Sequence, residues 1–310
     1  MKPVHVIVNA GAGGGHDDER AAELRRKLRD AGLDAELTLA AGGEELIAAA
    51  RRAREEGARL VVAGGGDGSV NAVASQLVDL DPERHPGVMR GIRFGVLPMG
   101  TLNHFAKDLG IPLELDAAIA NLATGVPVRV DVGEVNGRIF LNNSSLGLYP
   151  DIVRDREKQQ RRLGRGKWPA ALWASLAALR RYPFLSMRLD IEGERLARRT
   201  PFVFIGNNAY TMQGLAIGAR ERLDAGTLSL YVAQHPTRFG LLRFAFDALR
   251  GKLGDERDFD VLHAAGFEID THRKRLHVAT DGEVTVMAPP LRYRSRPGAL
   301  EVLVPAPEKS

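Results

Sequence analysis

A β-branched run that passes straight into four glycines and a carboxylate leaves few architectures open. Residues 59–63 read as a buried strand, Gly64-Gly65-Gly66-Asp67-Gly68-Ser69 follows at once, and residues 69–77 then carry apolar side chains at helical spacing. Glycines let main-chain amides approach an oxyanion, and the helix N-terminus beyond them adds a favourable dipole, so a polyphosphate is the natural occupant. Asp67 sharpens this, because a carboxylate repels phosphate unless a magnesium ion or its waters lie between. The plainer alternative is a tight turn whose glycines serve clearance alone, and four glycines plus a carboxylate weigh against it. The chain contains no G-x-x-x-x-G-K-[ST], and G-x-G-x-x-G spacing fails at both of its glycine clusters.

The rest of the first third alternates in the same manner. Residues 4–8, 35–39 and 92–97 are strand candidates, and 17–31, 44–56 and 102–109 are helix candidates. Such alternation argues for a Rossmann-like α/β domain with a parallel sheet, whose ligands bind beyond the carboxyl ends of the strands. At that edge Asn9-Ala10-Gly11-Ala12-Gly13-Gly14-Gly15 forms a second phosphate-facing loop. A third is Pro98-Met99-Gly100-Thr101-Leu102-Asn103, where Thr101 is placed to cap the next helix and Asn103 to donate to an oxygen. Each loop alone reads as an ordinary turn; three converging loops make a nucleotide site.

After residue 128 the texture changes to short strands joined by turns: 128–135, 138–142, 187–192, 203–206, 228–233, 258–269, 275–279 and 284–287. A second, mostly antiparallel β-sandwich domain is expected there, over 129–298. It is interrupted by helical stretches at 168–181 and 238–253. The first domain spans 1–128, and a strand at 300–304 returns residues 299–310 to it.

Three segments, taken in order, resemble the signature of diacylglycerol kinase-like lipid kinases, a family that includes bacterial lipid kinases and sphingosine kinases. They are Gly65-Gly66-Asp67-Gly68-Ser69-Val70-Asn71, then the run from Leu97 through Pro98, Gly100, Thr101 and Asn103 to Ala106, and last Asp281-Gly282-Glu283. The glycine-aspartate element alone is shared with NAD kinases and phosphofructokinases; the second segment points to the lipid branch. The resemblance implies ATP in a cleft between the two domains, with Asn9 to Gly13, Gly66 to Ala72 and Thr101 contacting it. It further implies that Glu283 accepts the proton of a lipid hydroxyl, with Asp281 beside it, and that Asp67 and Asp131 join a magnesium and water network. Read without the family, Asp281-Gly282 is simply a hairpin signal.

The chain departs from the family in its first loop, which lacks the usual proline and serine, at Ser69 in place of threonine, and at His104 in place of aspartate. The aspartate that binds a structural magnesium in bacterial members is replaced by Ala225, with Asp224 one step earlier, so that second metal site is not expected here.

Composition excludes more than it assigns. With no cysteine, disulfides, thiolate metal sites and a cysteine nucleophile are ruled out. The eight histidines show no zinc spacing, and there is no G-x-S-x-G elbow. The opening residues lack a signal-peptide core, and the longest apolar run, 168–179, falls short of the roughly 20 residues that span a bilayer, so a cytoplasmic protein is expected. The net charge is only +4, yet 151–167 alone carries seven basic and three acidic residues. Beside the apolar stripes of the two helical stretches, that excess suits peripheral contact with an anionic membrane presenting the lipid; the plain alternative is a solvated face. Nucleic-acid binding is not expected, and a homodimer is left open. The reading is therefore an ATP- and Mg2+-dependent lipid kinase. The alternatives are a soluble-substrate kinase of the NAD kinase type and a non-catalytic nucleotide- or lipid-binding relative.

Overall fold

A computed structural model describes residues 4–10, 17–79, 91–147, 184–191, 193–213, 216–217, 219–233 and 259–307. The basic stretch 151–167 and the helical stretches 168–181 and 238–253 lie outside the described residues. The chain divides into two compact units. One comprises Met1–Val132, Gly137–Leu141 and Arg296–Ser310; the other comprises Gly133–Asn136 and Asn142–Ser295.

The first unit alternates β1 (Val4–Asn9), α1 (Asp17–Asp30), β2 (Ala35–Ala40), α2 (Gly43–Glu55), β3 (Leu60–Gly65), α3 (Asp67–Ala74), β4 (Arg93–Pro98), α4 (His104–Asp108) and α5 (Leu115–Thr124). β5 (Val126–Val135) and β6 (Arg138–Phe140) follow. Parallel registers Val4↔Ala35, Val4↔Leu60 and Leu60↔Arg93 set the order β2-β1-β3-β4. β1, β3 and β4 are buried almost throughout, as strands covered on both faces must be, and their sequences are near-continuous apolar runs for that reason. Leu24 and Leu28 of α1 and Ile119 and Leu122 of α5 pack on β1 and β3 in one core. Leu46, Ala49, Ala50 and Ala53 give α2 a single buried stripe. Each large apolar side chain so buried contributes about 1.5–3 kcal/mol.

The second unit contains β7 (Asn143–Gly147), β8 (Leu185–Ile191), β9 (Glu194–Thr200), β10 (Phe202–Asn207), the short ribbon β11 (Met212–Gln213) and β12 (Ala216–Ile217), and β13 (Leu228–Ala233). Then come β14 (Phe259–Ala264), β15 (Gly266–Thr271), β16 (Leu276–Thr280), β17 (Glu283–Met287) and the first residues of β18 (Leu291–Val304). One antiparallel sheet runs β14-β13-β10-β7-β16-β17; the other runs β18-β15-β8-β9. This is the expected β-sandwich, with differences in detail. The stretch expected as one strand over 258–269 is two, and β7 and β9 fall where no strand was expected. β18 is far longer than 300–304: it runs through Pro297 and Gly298 and ends in the first unit, where Val302 pairs with Phe94 in parallel.

Tyr293 joins the two sheets of the sandwich. It is 1% exposed, its hydroxyl lies 3.1 Å from Ser144 Oγ on β7, and its ring stacks on Phe267 of β15 at 5.1 Å between centroids. Burial holds the phenol well above its usual ionisation range. An unfolded tyrosine releases its proton near pH 10, so above that pH the unfolded chain is favoured by about 1.4 kcal/mol per pH unit. Urea midpoints measured from pH 9 to 11 are expected to fall more steeply for wild type than for Tyr293→Phe; identical slopes would contradict this.

Candidate functional site

Three strand ends meet at one edge of the first unit, because β3 lies between β1 and β4. Clearance at this edge is measured in single atoms. A Cβ on Gly64 would sit 2.8 Å from Val8 Cγ2, one on Gly65 would sit 2.6 Å from Ser69 Cβ, and one on Gly100 would sit 2.4 Å from the Cα of Gly66. Gly65 also has φ +154, which side chains rarely adopt. The β3 and β4 loops thus touch backbone to backbone, supported by Met99 N–H donating to Gly65 O at 3.0 Å. Gly100→Ala has no flexible neighbour to displace; it is expected to cost about 1–3 kcal/mol in denaturant unfolding. An unchanged midpoint would show that the loops do not need this contact.

α3 begins at Asp67, two residues earlier than its spacing suggested, and its N-cap Gly66 offers no side chain to the first amides. Those donors are therefore turned toward the loop edge without an internal side-chain cap, the arrangement that receives phosphate oxygens. Ser69 lies inside the helix, 9% exposed, and its Oγ accepts from Asn9 Nδ2 at 2.9 Å, fastening the end of β1 to α3. The buried Oδ1 of Asn71 makes no hydrogen bond to any described residue. Ala10 is described and half-buried, whereas Gly11, Ala12 and Gly13 lie outside the described residues.

One expectation at the third loop is corrected. Thr101 does not cap the next helix: α4 begins at His104, its N-cap is Asn103 at φ +50, and Thr101 is exposed. Asn103 spends its amide on its own turn, with Nδ2 donating to Gly100 O at 2.8 Å and Oδ1 accepting from Gly100 N–H at 3.1 Å. The α4 cap comes instead from Asp67, whose two oxygens accept from His104 N–H at 3.2 Å and Phe105 N–H at 3.1 Å. Asp67 is thus not a bare carboxylate. It ties the start of α3 to the start of α4.

Asp131, on β5, is 1% exposed and accepts from Gly298 N–H at 2.9 Å. In the second unit Asp224 is exposed and pairs with Arg222 at 3.0 Å. Asp281 and Gly282, at φ +47 and +86, form a two-residue hairpin turn between β16 and β17. The Asp281 carboxylate accepts from the amides of Asn142 and Asn143 at 2.9 and 3.0 Å, and its own amide donates to Asn143 O at 2.9 Å. The turn is thereby fixed on β7, and Glu283 stands exposed as the first residue of β17. Among the described residues none of Asp67, Asp131 and Asp224 belongs to a group of three potential metal ligands. A magnesium ion fits such a donor set only by taking most of its ligands from phosphate and water, which is its habit.

Sequence reasoning missed two contributors. Arg220 is 3% exposed and donates to Asn142 Oδ1 at 2.8 Å and Asn207 O at 3.1 Å, holding the strand end that grips Asp281. One buried arginine among many carries no signal in a single sequence. Arg20 and Lys27, two turns apart on α1, line a cavity of about 260 Å3 with Asn9, Ala10 and Met99; their spacing of seven was the available clue. Lys27 is bound to Asp116, which raises the ammonium pKa.

Residues 3–135 match the diacylglycerol kinase catalytic domain, and residues 151–304 match the YegS C-terminal NAD kinase beta sandwich-like domain. The "Probable lipid kinase YegS-like" protein of Pseudomonas aeruginosa is 31% identical over 247 residues, 78% of this chain and 75% of the relative. The diacylglycerol kinase of Bacillus subtilis is 26% identical over 292 residues, 93% of this chain and 92% of the relative. The fold is shared with a crystal structure of a diacylglycerol kinase from Bacillus anthracis, at a TM-score of 0.69 and 20% identity, covering 99% of this chain and 97% of that one. With both domain matches and the glycine loops in place, the chain belongs to the diacylglycerol kinase and YegS-like lipid kinase family.

Proposed function

We propose that this chain transfers the γ-phosphoryl group of ATP, with Mg2+, to a hydroxyl of a membrane lipid such as diacylglycerol. The observation that carries the proposal is the start of α3: amides without a side-chain cap, reached through glycines that cannot bear a Cβ, beside a carboxylate. In this reading Gly65, Gly66, Gly68 and Ser69 cradle the phosphates, Asn71 and the exposed Thr101 contact the nucleotide, and Asn9 and Asn103 hold the loops in shape. Magnesium, held through Asp67 and phosphate oxygens, would neutralise charge on the transferred group. Glu283 accepts the proton as the lipid oxygen bonds to phosphorus and ADP departs with the bridging oxygen; Asp281 positions Glu283 through its turn. The lipid is met at an anionic bilayer surface, which the basic stretch 151–167 favours. Among the described residues no helix is long and apolar enough to cross a membrane.

The match of the second unit to an NAD kinase-like sandwich favours one other reading, a soluble acceptor. Purified protein with γ-labelled ATP and Mg2+ is offered diacylglycerol vesicles, a sphingoid base, a crude lipid extract and NAD in parallel. Label is expected in lipid; label in NAD alone would overturn the proposal in favour of the soluble acceptor.

A further inference from the structure

At the other end of the same strands, three ligand-type side chains come together away from the glycine loops. His5, the second residue of β1, is 2% exposed and lies in register with Glu36 of β2. Glu56, the C-cap residue of α2, approaches from the helix side. His5 Nδ1 is 3.7 Å from Glu36 Oε2 and Nε2 is 3.3 Å from Glu56 Oε2, yet the buried Nε2 makes no hydrogen bond to any described residue. One donor atom from each of the three residues lies within 4.8 Å of the others. We propose that His5, Glu36 and Glu56 form a binding site for a divalent transition-metal cation of the zinc class.

The donor set selects the ion. An imidazole with two carboxylates suits zinc, cobalt or nickel, whereas magnesium and calcium take oxygen ligands and keep their waters. Donors about 2 Å from a shared metal stand roughly 3.3 Å apart, so the site needs to contract by up to about 1.5 Å, with Nε2 as the imidazole donor and Glu36 swinging round from its place beside Nδ1. The glutamates have the freedom to do this, with side chains 54% and 44% exposed, while the imidazole is fixed in the sheet. Water completes the coordination, as it does in open three-ligand sites.

Arg52 decides between a metal site and a plain ion-pair cluster. Its guanidinium is 3.5 Å from Glu36 Oε1 and 3.9 Å from Glu56 Oε1, whereas both Oε2 atoms face His5. The arginine therefore sits behind the carboxylates and turns their remaining oxygens toward the imidazole, the role that outer partners play around bound metals. Asn9 lies four residue steps along β1 from His5, about 13 Å at 3.3 Å per residue, so this ion is not the one that accompanies nucleotide. It would pin β1, β2 and the end of α2 to one another.

The test is calorimetric titration of the full chain, stripped with chelator, with Zn2+ in the presence of excess Mg2+. One Zn2+ per chain is expected at this site, and Glu36→Gln and Glu56→Gln are each expected to weaken it by at least about tenfold. Zn2+ is also expected to raise the thermal midpoint of wild type and not that of the Glu36→Gln/Glu56→Gln double variant, whose phosphoryl transfer stays at the wild-type rate. Because both glutamates are half-exposed, these variants keep the buried His5 and the fold. Equal Zn2+ binding by wild type and the double variant, or none by wild type, would overturn the proposal.

Discussion

Asp67→Asn is expected to lower phosphoryl transfer by at least about a hundredfold while the chain remains folded, the scale of losing a preorganised electrostatic group. The two consequences separate because Asp67 does two things. Its oxygens cap α4 through His104 and Phe105, and asparagine retains one acceptor for that purpose, so the cap weakens by about 1 kcal/mol. Its charge beside the α3 amides is lost completely, and with it the handle for magnesium between carboxylate and phosphate. Comparing kcat with the denaturant midpoint reads both. A fall in activity no larger than the fall in folded population would reduce Asp67 to a helix cap.

Glu283→Gln is expected to reduce kcat by about 10²–10⁴-fold, the range for losing a general base, with ATP binding unchanged. Glutamine keeps the size of the side chain and the start of β17, and the turn that places it is held by Asp281 on the amides of Asn142 and Asn143. Structural damage therefore does not account for a loss of that size. Single-turnover rates with saturating ATP measure the step directly, and wild-type turnover would remove Glu283 from the role.

The elements of the first unit were legible because each carries its own signal. The strands are apolar on both faces, most helices have one apolar stripe, and glycines punctuate them, so expected and observed boundaries differ by at most three residues; only α5, over Leu115–Thr124, was not expected. What was not legible depends on partners remote in sequence. Asp67 caps a helix that begins at His104, and Asn103 adopts φ +50 to close its own loop on Gly100. In the second unit the strand over Asn143–Gly147 is serine- and asparagine-rich, yet it lies inside its sheet with Ser144 and Ser145 fully buried. Tyr293 bonds to Ser144 Oγ and Asp281 to the Asn143 amide, whereas the buried Ser145 Oγ makes no hydrogen bond to any described residue. The strand Glu194–Thr200 was hidden for the opposite reason: as an edge strand it carries Arg195, Arg198 and Arg199, which discourage further pairing and erase the apolar alternation. The hairpin at Asp281-Gly282 was readable from its dipeptide, but not that its carboxylate grips β7.

The most direct measurement is the amount of labelled phosphoryl group moved from γ-labelled ATP into diacylglycerol vesicles, with and without Mg2+, resolved by lipid extraction. Expected is a labelled monophosphorylated lipid whose formation saturates with ATP, requires Mg2+ and disappears in Glu283→Gln. Label that stays in ATP, is released only as inorganic phosphate, or enters lipid equally well in Glu283→Gln would contradict it.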